Sequence, residues 1–351
     1  MPPFPLDNIP HGFHPRVKLF LSADIIGSTA YKQPFDIERV IPDEHAKWSR
    51  IINGFYARMR QDLSDHWDQA AVQIGERYDA LMGPRPRFWK TVGDEVIFWK
   101  ELSSPLQIWL TLACWTKTVA SIREFFEGYE GDSDNLLDVK CTAWIAGFPV
   151  RNKPVLDVPD ADDPASGIIE ALGAFYGDRE GAPQVDFIGP GMDIGFRLSG
   201  FSSSKKMSIS LDVAFLLASS WKAMKDEEVP AKPNFPTSIG QADQHFVDRL
   251  EVYHSGNEAL KGVLGGILYP KFWINMMKNG SLDEAGEKIA HVPKRTAVDW
   301  EPLKAYCDKF YEDRRRFLTA PFIFAHTRLE DLPAQYEALL KASIPKGATE
   351  L

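Results

Sequence analysis

Read as a pattern of apolar and polar positions, the chain opens with an unstructured arm and then alternates strand-like and helix-like stretches. Residues 17–23, V-K-L-F-L-S-A, form an apolar run bounded by a polar turn, which predicts a buried strand ending on Asp24. Residues 88–99, F-W-K-T-V-G-D-E-V-I-F-W, place two aromatic, β-branched runs around Gly93-Asp94, a hairpin signal. Residues 137–150 alternate at Val139, Cys141, Ala143 and Ile145, as a strand does. Helical spacing appears at Trp48, Ile51, Ile52, Phe55 and Met59, after a first turn Pro42-Asp43-Glu44, and continues over residues 62–81. Residues 106–126 read as a strongly apolar helix packed on the sheet. Later come a helix at 190–201 behind Gly189-Pro190, a strand at 207–210 and a helix at 211–225. Strands at 246–253 and 261–274 close the sheet, and helices at 300–318 and 333–342 follow.

Between these lie segments with no period. Residues 1–15 are Pro-rich and read as an arm. Residues 151–184 contain V-L-D-V-P-D-A-D-D-P and read as an inserted loop, with a short helix at 167–176. Residues 227–243 are a polar, Pro-rich loop. The domain division is therefore 1–15 as arm, 16–275 as the body with its insertion at about 151–184, and 276–351 as a helical addition.

Composition narrows the class. The 351 residues suffice for a full core, and 44% are hydrophobic against 25% charged, which is ordinary for a soluble globular protein. A net charge of -9 argues against general nucleic-acid or anionic-membrane binding, though not against an anionic substrate held locally. Cys114, Cys141 and Cys307 are few and scattered and read as free thiols. The N-terminal stretch lacks a charged-then-apolar signal pattern, and no apolar run approaches the ~20 residues of a bilayer span, so a cytoplasmic protein is expected. His11-x-x-His14 falls in the arm, and no His/Cys group has zinc spacing. Arg314-Arg315-Arg316 reads as a basic helix C-terminus rather than a phosphate site.

The chemistry starts at Asp24. A carboxylate at a strand end can hold a hard cation, and the amides of the turn behind it, Gly27-Ser28-Thr29, can cradle phosphate oxygens. Alone, Asp24 reads better as a helix cap. Asp94, at the hairpin turn, supplies a second acid at a neighbouring strand end, and the two together make a two-metal nucleotide site. The third piece is Gly189-Pro190-x-x-Asp193-x-x-x-Arg197, followed by a short strand ending in serine.

These pieces, D-I-x-G-S-T, K-x-x-G-D and G-P-x-x-[N/D]-x-x-x-R in that order, resemble the class III nucleotidyl cyclases over residues 15 to 275. The resemblance implies an α/β (α+β) ferredoxin-like catalytic domain, a central mostly antiparallel sheet flanked by helices. It implies that Asp24, Asp94 and the carbonyl of Ile25 hold two divalent metal ions (Mg²⁺ or Mn²⁺). The amides of Ile26, Gly27, Ser28 and Thr29 would hold phosphates, and Lys261 resembles the lysine that reaches the terminal phosphates. Arg197 would meet charge growing on the α-phosphate. Asp193 falls where the family carries Asn: an ionised Asp accepts where Asn can donate, so it binds a ribose hydroxyl or caps the helix. Lys90 and Asp186 match the base-reading positions, and as a pair they suit adenine, cytosine or uracil; their plain reading is an ion pair. A homodimer with shared sites is implied, because the metal acids come from one subunit and the arginine and base-reading pair from the other. The aromatic hairpin, Asp193, the insertion and the helical tail look most like the pyrimidine cyclases of bacterial Pycsar anti-phage systems. UTP is then the preferred substrate and cyclic UMP the product, acting on a separate effector; the alternatives are an adenylate cyclase or an inactive nucleotide-binding homologue.

Overall fold

The computed structural model describes residues 15–32, 42–129, 137–156, 185–226, 250–276 and 297–323. Within these residues, β1 (Arg16–Ile26) is the central strand, flanked on both sides and buried on both faces. That double burial explains why it reads as a nearly continuous apolar run. A short helix α1 (Ser28–Lys32) follows, then the 33-residue α2 (Pro42–Ile74), and, past a 3₁₀ turn at Gly75–Arg77, the four-residue α3 (Tyr78–Leu81). The helix expected over 62–81 is thus the second half of α2 plus α3, broken at Gly75, whose φ is +58°.

Next come β2 (Arg87–Val92), β3 (Glu95–Leu102), α4 (Gln107–Tyr129) and β4 (Asp138–Phe148). The order β1-α2-β2-β3-α4-β4, with strands laid out β2-β3-β1-β4 and every neighbour antiparallel, is the ferredoxin-like arrangement. The Gly93-Asp94 hairpin is where the sequence places it, with Gly93 supplying the positive φ of +63° that a two-residue turn requires.

The sheet is extended by β7 (Lys206–Ile209), parallel to β4, then β9 (Leu268–Asn275) and β8 (Val252–Ala259), both antiparallel. The expected mixed α/β class with a mostly antiparallel sheet is what the chain adopts, with seven strands in that sheet among the described residues. Two strand positions are corrected. The strand expected at 246–253 lies at Val252–Ala259, and its partner begins at Leu268 rather than 261. The segment 151–184 is not loop from its start. β5 (Lys153–Leu156) pairs antiparallel with β6 (Val185–Ile188) as a separate two-stranded sheet; the short helix expected at 167–176 lies outside the described residues.

Three further helices complete the description: α5 (Pro190–Leu198), α6 (Leu211–Asp226) and α7 (Trp300–Asp313). The helix expected over 300–318 ends five residues early, at Asp313, and the chain turns through Arg314. The arm, its histidines and the helix expected at 333–342 lie outside the described residues.

Alternation along the strands sorts the side chains. Val17, Leu19, Leu21, Ala23 and Ile25 of β1 face α2, α4 and α6 in the main core with Phe55, Trp109, Trp115 and Phe126. Phe20, Ile97, Trp144, Ala146 and Phe148 face the other way, into a smaller cluster with Trp89, Phe187 and Met192 that β6 and α5 cover. Gly195 makes that cover possible, since a Cβ there would lie 2.3 Å from the Trp144 ring. α7 docks on α6: Cys307 is buried, Tyr311 donates to Asp212, and Trp300 meets Trp109 at 4.9 Å between ring centroids.

Candidate active site

Asp24 is not the last residue of its strand. β1 runs on to Ile26 against β4, but pairing with β3 stops at Asp24, opposite Glu95. Asp24 therefore sits where the sheet opens on one side, on the same face as Phe20 and Ser22. Asp94, one residue before Glu95, brings the second carboxylate to that corner. The Ser28 hydroxyl donates to Asp94, and the Tyr56 hydroxyl from α2 donates to the Gly93 carbonyl, so the hairpin turn is held from two sides. Burial pushes the Tyr56 phenol up, and the Asp94 charge adds to that shift.

Two residues at this corner carried no sequence signal. Lys140 of β4 lies opposite Asp24, its Nζ 3.0 Å from Oδ2. Glu95 has its carboxyl pushed up, first by burial, with Ser22 and Lys140 favouring the charged form and Asp24 and Asp94 opposing it. The alternation of Val139 and Cys141 already places Lys140 on the face of Asp24, so strand pairing was the missing information.

The donor types, two carboxylates carried by neighbouring strands, are those a hard divalent cation takes, although Asp24 is engaged here by the Lys140 ammonium. No group of three His, Cys, Asp or Glu side chains with metal-site geometry occurs among the described residues. Mg²⁺ can bind through one or two carboxylates and complete its shell with water and substrate phosphates. Ile25 is a strand residue whose side chain packs in the core. Ile26 ends β1, Gly27 turns with φ +83°, and Ser28 and Thr29 begin α1. The Ser28 side chain is buried and engaged with Asp94, so only its backbone amide remains for phosphate.

Lys90 and Asp186 come together: Nζ lies 2.7 Å from Oδ1, which also accepts the Phe187 amide at 2.8 Å. The Asp186 side chain is 51% exposed, so a ligand can reach the pair. Asp193 and Arg197 are exposed, four residues apart on α5. Lys261 is not brought to this corner. It is exposed in the turn between β8 and β9, at the end of the sheet opposite Asp24, roughly 20 Å away along the strands.

No protein-family model matches the chain, and no curated protein matches it in sequence. Solved structures do. The adenylyl cyclase CyaB from P. aeruginosa is 12% identical, with a TM-score of 0.42 over 82% of this chain and 98% of that one. The guanylyl cyclase Cya2 is 11% identical, with a TM-score of 0.39 over 81% and 98%. The guanylate cyclase domain of RhGC from Catenaria anguillulae, in complex with GTP, is 11% identical, with a TM-score of 0.35 over 75% and 98%. At these values the likeness says nothing of what this chain binds or does. No helix among the described residues is long and apolar enough to cross a membrane.

Proposed function

We propose that the chain is a nucleotidyl cyclase that converts a nucleoside triphosphate, preferentially UTP, to its 3′,5′-cyclic monophosphate and diphosphate. The observation that most supports the reading is that Lys90 and Asp186 meet at 2.7 Å within reach of a ligand; Asp24 lies opposite Glu95, the residue after Asp94. In the reaction the ribose 3′-oxygen bonds to the α-phosphorus, the bond to the β-phosphate oxygen breaks, and the 3′-hydroxyl proton leaves to solvent. Divalent ions held by Asp24, Asp94 and the Ile25 carbonyl would lower the pKa of that hydroxyl and offset the triphosphate charge. Lys140 places an ammonium beside the phosphates. The amides of residues 26–29 hold phosphate oxygens, and Arg197 offers a planar donor fork to the charge that grows on the α-phosphate.

Lys90 donates to uracil O4 while Asp186 accepts from N3–H. The preference for UTP, and an anti-phage role in which cyclic UMP switches on a separate effector, rest on the sequence resemblance to Pycsar cyclases. The same pair fits adenine N1 and N6, which keeps an adenylate cyclase as the second reading. Two copies of the chain complete each site. Lys261 and Asp24 lie at opposite ends of one sheet, so a phosphate role for Lys261 would require a partner's site. The test is incubation with each of the four nucleoside triphosphates and Mn²⁺, reading cyclic product by mass. Cyclic UMP as the main product supports the proposal, cyclic AMP alone moves it to the second reading, and no cyclic product from any of the four overturns it.

A further inference from the structure

The strand that carries Lys90 is irregular at one residue. In β2, Arg87 lies opposite Trp99 and Phe88 opposite Phe98, but it is Lys90, not Trp89, that lies opposite Ile97. Trp89 is an extra residue, a β-bulge, and such a bulge changes the face on which later side chains emerge. In a regular strand Trp89 would oppose Ile97 and Lys90 would oppose Val96, which packs in the helix-covered core. The bulge moves Lys90 opposite Ile97, which packs on the other face, and there its ammonium reaches Asp186.

Trp89 also holds the other half of that pair. Asp186 is carried by β6, which pairs with β5 and not with the seven-stranded sheet. The Trp89 Nε1–H donates to the Val185 carbonyl at 2.8 Å, and its ring lies 4.8 Å from that of Phe187. The residues on both sides of Asp186 are thus fastened to β2 through one indole, whose ring the Lys90 ammonium overlies at 4.2 Å.

We propose that Trp89 is a positioning residue for nucleotide selectivity: its bulge turns Lys90 onto the face of Asp186, and its N–H fixes β6 at the matching height. The inference rests on the base-reading assignment of Lys90 and Asp186 given above. Donor and acceptor must meet a base edge together, so a slip of β6 weakens recognition of the preferred base more than that of the others.

The test compares Trp89→Phe, which keeps a ring and loses the donor, with Lys90→Met and with Phe148→Leu, a packing control in the same aromatic cluster. The readout is the ratio of kcat/KM among UTP, CTP, ATP and GTP, with the melting temperature as a check on folding. Trp89→Phe is expected to lower the preferred nucleotide's advantage about tenfold, the worth of one well-placed hydrogen bond, in the same direction as Lys90→Met. Phe148→Leu is expected to lower stability and leave the ratio alone. If Lys90→Met alters the ratio and Trp89→Phe does not, Trp89 is packing only and the inference falls while the base-reading pair stands. If neither alters it, the base-reading assignment fails and takes this inference with it. Should Trp89→Phe not fold, Trp89→Leu, which also lacks a donor, is read against Phe148→Leu in the same way.

Discussion

On the helix-covered face of β1 stand Val17, Leu19, Leu21, Ala23 and Ile25; on the opposite face stand Lys18, Phe20, Ser22 and Asp24. The same contrast runs through β4, with Val139, Cys141, Ala143 and Ile145 on one side and Lys140, Thr142, Trp144 and Ala146 on the other. On β1 and β4 the first face is apolar throughout, because it excludes water beneath three helices. The second grades from aromatic side chains, where α5 and β6 cover it, to charged ones at the corner the cover leaves open. Charge is tolerated there because each group has a partner: Asp24 with Lys140, Asp94 with Ser28, Lys90 with Asp186. The polar face holds candidate chemistry, and the apolar face holds the strands that position it.

The sharpest break in this contrast is expected from Asp24→Ala or Asp94→Ala. Either should bring turnover to background, because a hard-metal ligand is lost. The Asp24–Lys140 pair is partly exposed at both ends, 27% and 31%, so its removal should cost stability no more than about 1 kcal/mol. Cyclase assays with Mn²⁺ beside thermal melts separate the two effects, and a near-normal rate in either variant rejects the metal assignment.

The reverse pattern is expected from Phe55→Ala on the helix-covered side. Phe55 is fully buried against Phe126, with ring centroids 6.0 Å apart. Truncation should cost about 3–5 kcal/mol in denaturant unfolding. Activity per folded molecule should hold.

Next is Arg197→Ala, expected to lower kcat about 10²–10³-fold, about 3–4 kcal/mol, as for loss of one preorganised donor. KM should change far less, and Arg197→Lys should not rescue fully, because a point charge lacks the fork. Mixing inactive Asp94→Ala with inactive Arg197→Ala should restore activity if sites are shared between two copies. A mixture that stays inactive although subunits exchange removes the shared-site arrangement. A rise in KM alone would make Arg197 a binding contact.

What the sequence made legible divides along the same line. Elements with one apolar face or a local turn signal, namely β1, the β2–β3 hairpin, α4 and α6, read directly from period and from Gly93-Asp94. β8 did not, because it is an edge strand whose residues from 254 to 259 are all exposed and show no alternation. β5 was hidden by Pro154 and by a partner about thirty residues away. Asp24, Asp94, Lys90 and Asp186 were found through ordered motifs. Lys140 and Glu95 belong to no motif; Lys140 joins the corner only through cross-strand register, and Glu95 as the residue after Asp94. The bulge at Trp89 left no trace, since F-W-K reads equally well as plain alternation.

One lysine lies buried on each face, and the two can be set against each other. Lys18, on the second face, has its Nζ 3.5 Å from the centre of the Trp99 ring and 3.4 Å from Glu101. Lys100, on the helix-covered face, donates to the carbonyls of Met82 and Pro84, the latter at 2.7 Å. Burial brings both ammonium groups down to about 7, against an ordinary 10.5. Between those values the unfolded chain holds a proton that the folded chain has released, so stability rises with pH, by at most about 1.4 kcal/mol per unit for each lysine. Asp212 acts in the other direction. Burial pushes its carboxyl up to about 6 from 3.8, so the folded chain holds the extra proton and stability falls as pH climbs through that range. His66 opposes that fall: burial brings its imidazole down to about 4 from 6.5, so between about pH 4 and 6 the two slopes offset and melts should show a clear rise in stability only above about pH 7. Asp212→Asn should therefore leave a rise with pH on the acid side, and Lys18→Met should flatten the alkaline side. Lys100→Met should also flatten the alkaline side, at a cost of about 1–3 kcal/mol, because it leaves the buried Met82 carbonyl without its donor. That added cost is where the two faces should differ: Glu101 keeps Arg16 at 2.9 Å when Lys18 is removed. Equal losses from both methionine variants would show that the two lysines are held alike.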